Sequence, residues 1–270
     1  MFANKIAIVT GGASGIGRSV TEELARRGAC VTLADKDAEL AKETAKGIGG
    51  AGHPAKAVTL DVTDPAAVKT LVDDTVKEYG RLDYIFNNAG IAVVGDARDF
   101  SLDDWRKVID TNLYGVVNGV VAAYPIMAKQ GFGHIVNTAS LAGLIPPVGE
   151  ISYAASKYGV VGLSHALRAE AADLGVKVSV VCPGFIKTPI FYNSKLIGID
   201  RKKMLETIPK TISPEECAQV ILRGVERNKA TIVVTPAASV LWVLHRISPQ
   251  IMFWLGKRYI RKFREMRDGS

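Results

Sequence analysis

Ile6-Ala7-Ile8-Val9-Thr10-Gly11-Gly12-Ala13-Ser14-Gly15-Ile16-Gly17 is the stretch on which the fold turns. Its first half is a short, continuously apolar run, the pattern of a strand buried on both faces. Its second half reads T-G-x-x-x-G-x-G and leads into a helical pattern. Gly11 permits a tight turn. Gly15 lets the backbone come close to a pyrophosphate, and Gly17 lets the helix pack on the sheet. With Ser14 and Ile16 between them, these glycines place free N–H groups and the positive end of a helix dipole where phosphates could sit. A glycine pattern alone is often only a turn. Here a strand precedes it, a helix follows, and Asp35 ends the second strand eighteen residues after Gly17, which together point to a dinucleotide.

Asp35 also bears on which dinucleotide. A carboxylate there accepts both ribose hydroxyls of NAD and repels the 2′-phosphate of NADP. Position 14 is Ser rather than Arg or Lys. Lys36 could offset some of the repulsion but reads as a solvated surface lysine. The expected cofactor is NAD, with NADP disfavoured.

Outward from this stretch the pattern repeats. Apolar runs fall at 6–10, 30–34, 57–60, 84–86, 135–138, 177–181 and 231–234. Helical patterns lie between them, near 15–27, 38–48, 66–79, 102–127, 153–173 and 214–227. Such alternation implies right-handed βαβ units and a parallel sheet covered on both faces. The expectation is an α/β chain. Residues 1–236 form one Rossmann domain, a doubly wound parallel seven-stranded sheet with helices on both faces. Residues 237–270 form a C-terminal extension.

Composition narrows the class. The 270 residues suffice for one large α/β domain, and 48% hydrophobic with 23% charged residues is ordinary for a folded protein. The net charge of +7 is uneven. Residues 257–270 carry six Lys or Arg against two acids, so the tail supplies most of it. A nucleic-acid surface is not needed to explain the basicity. Cys30, Cys182 and Cys217 show neither zinc nor redox spacing and read as reduced, buried thiols. The N-terminus runs straight into a strand, with no secretory signal. A cytoplasmic location is the expectation. His53, His134, His165 and His245 lack ligand spacing and read as surface or packing residues, so no metal site is expected.

The chemistry centres on Tyr153 and Lys157 in Y-A-A-S-K, with Ser140 thirteen residues upstream. Residues i and i+4 share a helix face. A phenol loses its proton near pH 10 in water, and a fixed cation beside it favours the phenolate. The pair would then supply a proton donor and acceptor near neutral pH. The serine hydroxyl could hold the oxygen that takes or gives the proton.

With these residues together, the chain resembles the short-chain dehydrogenase/reductase family from residue 3 to about 236. T-G-G-A-S-G-I-G at 10–17 matches its cofactor motif. Asp61-Val62 matches the adenine-contacting pair, and Asn87-Asn88-Ala89-Gly90 the N-N-A-G that borders the cofactor. Asn112, Ser140, Tyr153 and Lys157 match the catalytic group. Pro183-Gly184, with Ile186 and Thr188, matches the segment that holds the nicotinamide amide. The resemblance implies roles. Tyr153 is the general acid or base. Lys157 lowers its pKa and bonds the nicotinamide ribose. Ser140 orients the substrate oxygen, and Asn112 holds a water linking Lys157 to solvent. It also implies homodimers or homotetramers paired through the helices near 102–127 and 153–173.

The stretches after these motifs are mostly apolar: 141–148, 91–94, Phe185 and Phe191-Tyr192, with Glu150 nearby. They suit a lipophilic alcohol or ketone, steroid-like or long-chain as for a hydroxysteroid dehydrogenase, though core packing explains several of them as well. Residues 188–210, in the family a substrate lid, carry Lys195, Arg201, Lys202 and Lys203, which read as a solvated face. In the extension, His245, Arg246 and Pro249 break the apolar run below the roughly 20 residues needed to span a bilayer. Two helices meeting near Pro249 are expected. Trp242, Phe253, Trp254 and Leu255 before a basic segment suit a helix lying on an anionic membrane. An arm packed on another subunit or over the substrate pocket is the competing reading.

The sequence therefore points to an oxidoreductase passing hydride between NAD(H) and a secondary alcohol or ketone. The rivals are an NADPH-dependent ketone reductase and a non-catalytic nucleotide-binding or membrane-associated interaction protein.

Overall fold

The computed structural model describes residues 1–53 and 55–267; the last three residues of the 237–270 extension lie outside them. In chain order the strands are β1 (Ile6–Thr10), β2 (Cys30–Asp35), β3 (Ala55–Thr59), β4 (Tyr84–Asn87), β5 (Val93–Gly95), β6 (Gly133–Thr138), β7 (Val176–Cys182), β8 (Lys195–Ile197) and β9 (Thr231–Val233). Seven of them form one sheet in the order β3-β2-β1-β4-β6-β7-β9. Every pairing in it is parallel. The order reverses beside β1, which opens a crevice at the strands' carboxyl ends, where open α/β sheets bind ligands.

The helices are α1 (Gly15–Arg26), α2 (Ala38–Gly50), α3 (Pro65–Tyr79), α4 (Leu102–Ile109), α5 (Gly115–Gln130), α6 (Ile151–Glu170), α7 (Ile190–Asn193), α8 (Arg201–Glu206), α9 (Pro214–Glu226), α10 (Pro236–Ile247) and α11 (Pro249–Arg264). Their starts are set locally. Asp37 and Asp64 accept from the first free N–H groups of α2 and α3, and Ser101 and Ser213 form capping boxes with Asp104 and Glu216.

Alternation along β1 divides the core. Ala7 and Val9 pack with Leu24 of α1 and Ile221 and Leu222 of α9. Ile6 and Ile8 pack on the other face with Val68 and Val72 of α3 and Ala123 and Met127 of α5. Both sheet faces are covered, as a doubly wound Rossmann fold requires.

Three features depart from the sequence reading. Strand β3 lies at Ala55–Thr59 rather than 57–60. The helix expected at 102–127 is two helices joined by a wider π turn, Asp110–Tyr114. A second, two-stranded sheet pairs β5 with β8 in parallel.

The extension does form two helices that meet at Pro249. Met252 packs in a cluster with Leu141, Ile145 and Val160, and Phe263 and Met266 in another with Val94, Ile199 and Met204. Buried Asp96 accepts from Arg98 at 3.0 Å and from Arg264 at 2.8 Å. These guanidinium bonds hold its carboxyl far below the usual range. No described helix is long and apolar enough to cross a membrane.

Candidate active site

The crevice is a cavity of about 710 Å³. At one end lie Gly11, Ser14, Gly15, Ile16, Asp35, Asp61 and Val62; in the middle lie Asn88, Ala89, Gly90, Ser140, Tyr153 and Lys157, with Pro183, Gly184, Ile186 and Thr188 also on its wall. Of the residues expected to bind or react, Gly17 and Asn112 stand behind the lining rather than in it.

The glycine loop is built for close approach. Gly11 has φ +62°, a left-handed conformation that costs glycine nothing. A side chain on Gly17 would overlap the Gly11 carbonyl and the Asn88 amide, so Gly17 serves the loop rather than the sheet. Asn88 Nδ2 donates to the carbonyls of Thr10 and Gly11 at 3.2 and 3.3 Å. Asn88 and Ala89 N–H groups both donate to Thr10 Oγ1, at 3.0 and 3.2 Å. This lacing fixes the N-N-A-G segment beside the loop.

Asp35 accepts from the Ala13 N–H at 3.2 Å, so its carboxylate faces the loop that would carry the pyrophosphate. Asp61 accepts from the Thr63 N–H and hydroxyl at 2.9 and 2.8 Å, which lower its pKa. The Val62 carbonyl is held by Asn118 Nδ2 at 2.9 Å. The cradle, the acidic residue at the end of β2 and the long cavity fit a dinucleotide.

Tyr153 and Lys157 project from the first turns of α6, and Ser140 follows β6. Lys157 Nζ donates to the Thr138 carbonyl at 2.9 Å and lies 5.5 Å from the Tyr153 ring centre. Its ammonium is buried, and desolvation pushes it down to about 8. The expected depression of the phenol pKa by this lysine is not met. Burial first, then the charge of Glu150, raise Tyr153 above its ordinary value, while a hydrogen bond from Ser140 partly opposes them. Desolvation of the site dominates the phenol, and the Lys157 ammonium is engaged by the Thr138 carbonyl.

Asn112 sits in the π turn and is fully buried. It accepts from the Ile91 N–H at 2.8 Å and donates to the Ile91 carbonyl at 2.9 Å and to Ser156 Oγ at 3.2 Å. A Cβ on Gly90 would lie 3.3 Å from Asn112 Oδ1 and 3.5 Å from Lys157 Nζ. The π turn thus aims Asn112 at the chain that carries Gly90, next to the lysine.

The other end of the cavity is apolar: Ile91, Val94, Leu141, Ile145, Val148, Phe185 and Phe191 line it, with Glu150 among them. Tyr192 does not line it and is largely exposed. Leu241, Tyr259 and Phe263 complete the wall from the extension, which therefore packs over the substrate pocket, one of the two competing placements expected for it. Phe263 is 2% exposed, and its ring would meet a Cβ on Gly149 at 2.5 Å. Nor are Lys195 and Arg201 merely solvated. Lys195 bonds buried Asp104 at 2.6 Å, and Arg201 donates to the carbonyls of Tyr192 and Ser194, both at 2.8 Å. His134 is a packing residue: its Nε2 bonds Ser179 Oγ at 2.9 Å, and burial pushes it down to about 3.

The model of the short chain dehydrogenases matches residues 5–196. A cyclohexanol dehydrogenase of Acinetobacter sp. is 38% identical over 224 residues, covering 82% of this chain and 87% of its own. A 3-oxoacyl-[acyl-carrier-protein] reductase FabG of Thermotoga maritima is 40% identical over 224 residues, 81% of this chain and 89% of its own. A solved short chain dehydrogenase/reductase from Burkholderia phymatum in complex with NAD superposes with a TM-score of 0.86 at 29% identity, over 93% of this chain and 95% of that one. The chain belongs to the short-chain dehydrogenase/reductase family. It is an NAD(P)-dependent oxidoreductase of that family.

Proposed function

We propose that the protein interconverts a lipophilic secondary alcohol and its ketone, with NAD preferred over NADP. The observation that carries this is one cavity with Asp35 at one end, Ser140, Tyr153 and Lys157 in the middle and an apolar wall at the other. The alicyclic alcohol named for the Acinetobacter relative supports the same substrate class. When bound, the nicotinamide ring would exchange hydride with the carbinol carbon.

The residues of the chain do the rest. Ser140 holds the reacting oxygen, and Tyr153 passes the proton to or from it. Lys157, steadied on Thr138, bonds the ribose and holds positive charge beside the phenol. Asn112 holds the Ile91 backbone, and with it the Gly90 segment, beside Lys157; the water between the lysine and solvent that the family resemblance assigns to it remains part of this proposal. Gly11, Gly15, Ser14 and Ile16 receive the pyrophosphate, Asp61 and Val62 border the adenine, and Pro183 to Thr188 hold the nicotinamide amide. The test is a panel of alcohols with NAD and with NADP, followed by nicotinamide absorbance. Long-chain and alicyclic secondary alcohols should give higher kcat/KM than small polyols; the reverse ranking would defeat the reading.

A second reading concerns the extension: a cytoplasmic enzyme resting on an anionic membrane. Ile247, Phe253, Trp254 and Leu255 are exposed on α10 and α11, beside Lys257, Arg258, Arg261 and Lys262. Exposed Tyr114, Val121 and Tyr158 on the π turn, α5 and α6 support pairing of subunits through those helices instead of through the extension. Co-sedimentation with anionic but not neutral liposomes, lost in Trp254→Glu, is the expected result.

A further inference from the structure

Glu150 is the only carboxylate on the apolar end of the cavity among the described residues. It precedes α6, one turn before Tyr153. Its side chain caps no N–H group of that helix, and burial raises its carboxyl to about 7. The titratable groups on the same wall are Tyr153, Lys157 and Tyr259. The chain immediately behind Glu150 is fixed. Gly149 lies against Phe263, and its carbonyl accepts from the Gly95 N–H at 2.8 Å. Glu150 is half-buried, and its carboxylate has no protein partner among the described residues in a wall that is otherwise apolar, so a ligand can supply one. Such groups mark places where a ligand supplies the missing partner.

We propose that Glu150 binds a second hydroxyl of the substrate, so that the preferred substrate is a lipophilic molecule with a hydroxyl a few carbons from the reacting one. The inference rests on the reading of Tyr153 as the proton-transfer group. A hydroxyl both donates and accepts, so it pairs with the carboxylate and with the neutral carboxyl. An ammonium pairs with the carboxylate alone. Spacing sets the reach. Glu150 lies three residues before Tyr153, a separation of about 4.5 Å along a helix axis, and its own backbone is not helical.

The test compares an alicyclic secondary alcohol with diols that carry a further hydroxyl two or three carbons away, on the full chain with NAD at one neutral pH. Wild type should prefer the best diol by about 10- to 100-fold in kcat/KM, the effect of one hydrogen bond to a charged group. Glu150→Leu should bring that ratio close to unity, and Glu150→Gln, which still donates and accepts, should keep most of it. Both alcohols use the same phenol, so the ratio cancels any effect routed through Tyr153. NADH binding and the melting temperature show that each variant is folded. A wild-type ratio near unity, a preference for the matching amino alcohol, or equal losses on both alcohols in Glu150→Leu would overturn the proposal. If the ratio fails while the simple alcohol is still turned over and Tyr153→Phe abolishes that turnover, the parent reading survives.

Discussion

Replacing Phe263 with alanine separates two roles for the C-terminal extension, a wall of the substrate pocket and a part of the folding core. Phe263 is 2% exposed and packs with Val94, Ile199, Met204 and Met266, apart from the two clusters that cover the sheet. Removing a buried phenyl ring costs about 3–5 kcal/mol. Other anchors of α11 and the residues after it include Met252, Ile260, Met266, the Asp200 N–H bond to the Met266 carbonyl and the ion pairs Arg264–Asp96 and Arg267–Asp99. Arg264 is half exposed, so that pair offsets little. Taking the lower figure, the undocked population of α11 rises about 100-fold. Trypsin reads this directly, because Lys257, Arg258, Arg261 and Lys262 lie within the helix. Under native conditions cleavage there should accelerate about 100-fold, tracking the open population. The cooperative melting of the sheet domain should hardly move, and KM for apolar alcohols should rise. Cleavage no faster than in wild type, or a melting temperature lowered as by a core substitution, would refute the reasoning.

Other outcomes follow from the charged and titratable groups. Asp35→Ala should narrow the preference for NAD over NADP by about 10-fold or more in kcat/KM, since it removes both an acceptor for the ribose and a repulsion; an unchanged ratio would place selectivity elsewhere. Glu150 stays protonated in the fold up to about 7 but ionises near 4.5 when unfolded. Its contribution is therefore present below 4.5 and is lost as pH rises to about 7. The loss is about 1–2 kcal/mol, because the open cavity lets water screen part of the full penalty of about 3 kcal/mol. Glu150→Gln should remove that slope in chemical denaturation. His134 is the opposite case: neutral in the fold down to about 3, it stabilises above 6.5 and loses that contribution as pH falls. His134→Gln should flatten the acid limb of the melting profile between those values.

The residues most legible in the sequence were those whose spacing is local. The run from Ile6 to Gly17 sits within one strand, one turn and one helix start, so its pattern maps directly onto coordinates. Asp35 and the Tyr153–Lys157 pair follow the same rule. The π turn around Asn112 escaped notice because one wider turn leaves the apolar period of Leu102–Ile109 and Gly115–Gln130 almost unbroken. Strands β5 and β8 are three residues long and pair across about a hundred positions, too short for any period to register. The closing of the pocket by Tyr259 and Phe263 depends on a fold-back that no local pattern encodes. The phenol pKa is illegible locally for a related reason: Lys157 is adjacent in the helix, but burial and Glu150 act through the assembled cavity.

The most direct measurement is steady-state turnover of a responsive secondary alcohol by Tyr153→Phe, with NADH affinity and melting temperature recorded on the same sample. Loss of the single hydroxyl should cut kcat by about 100-fold or more while cofactor binding and folding persist. A variant that folds, binds NADH and oxidises the alcohol at the wild-type rate would contradict the account.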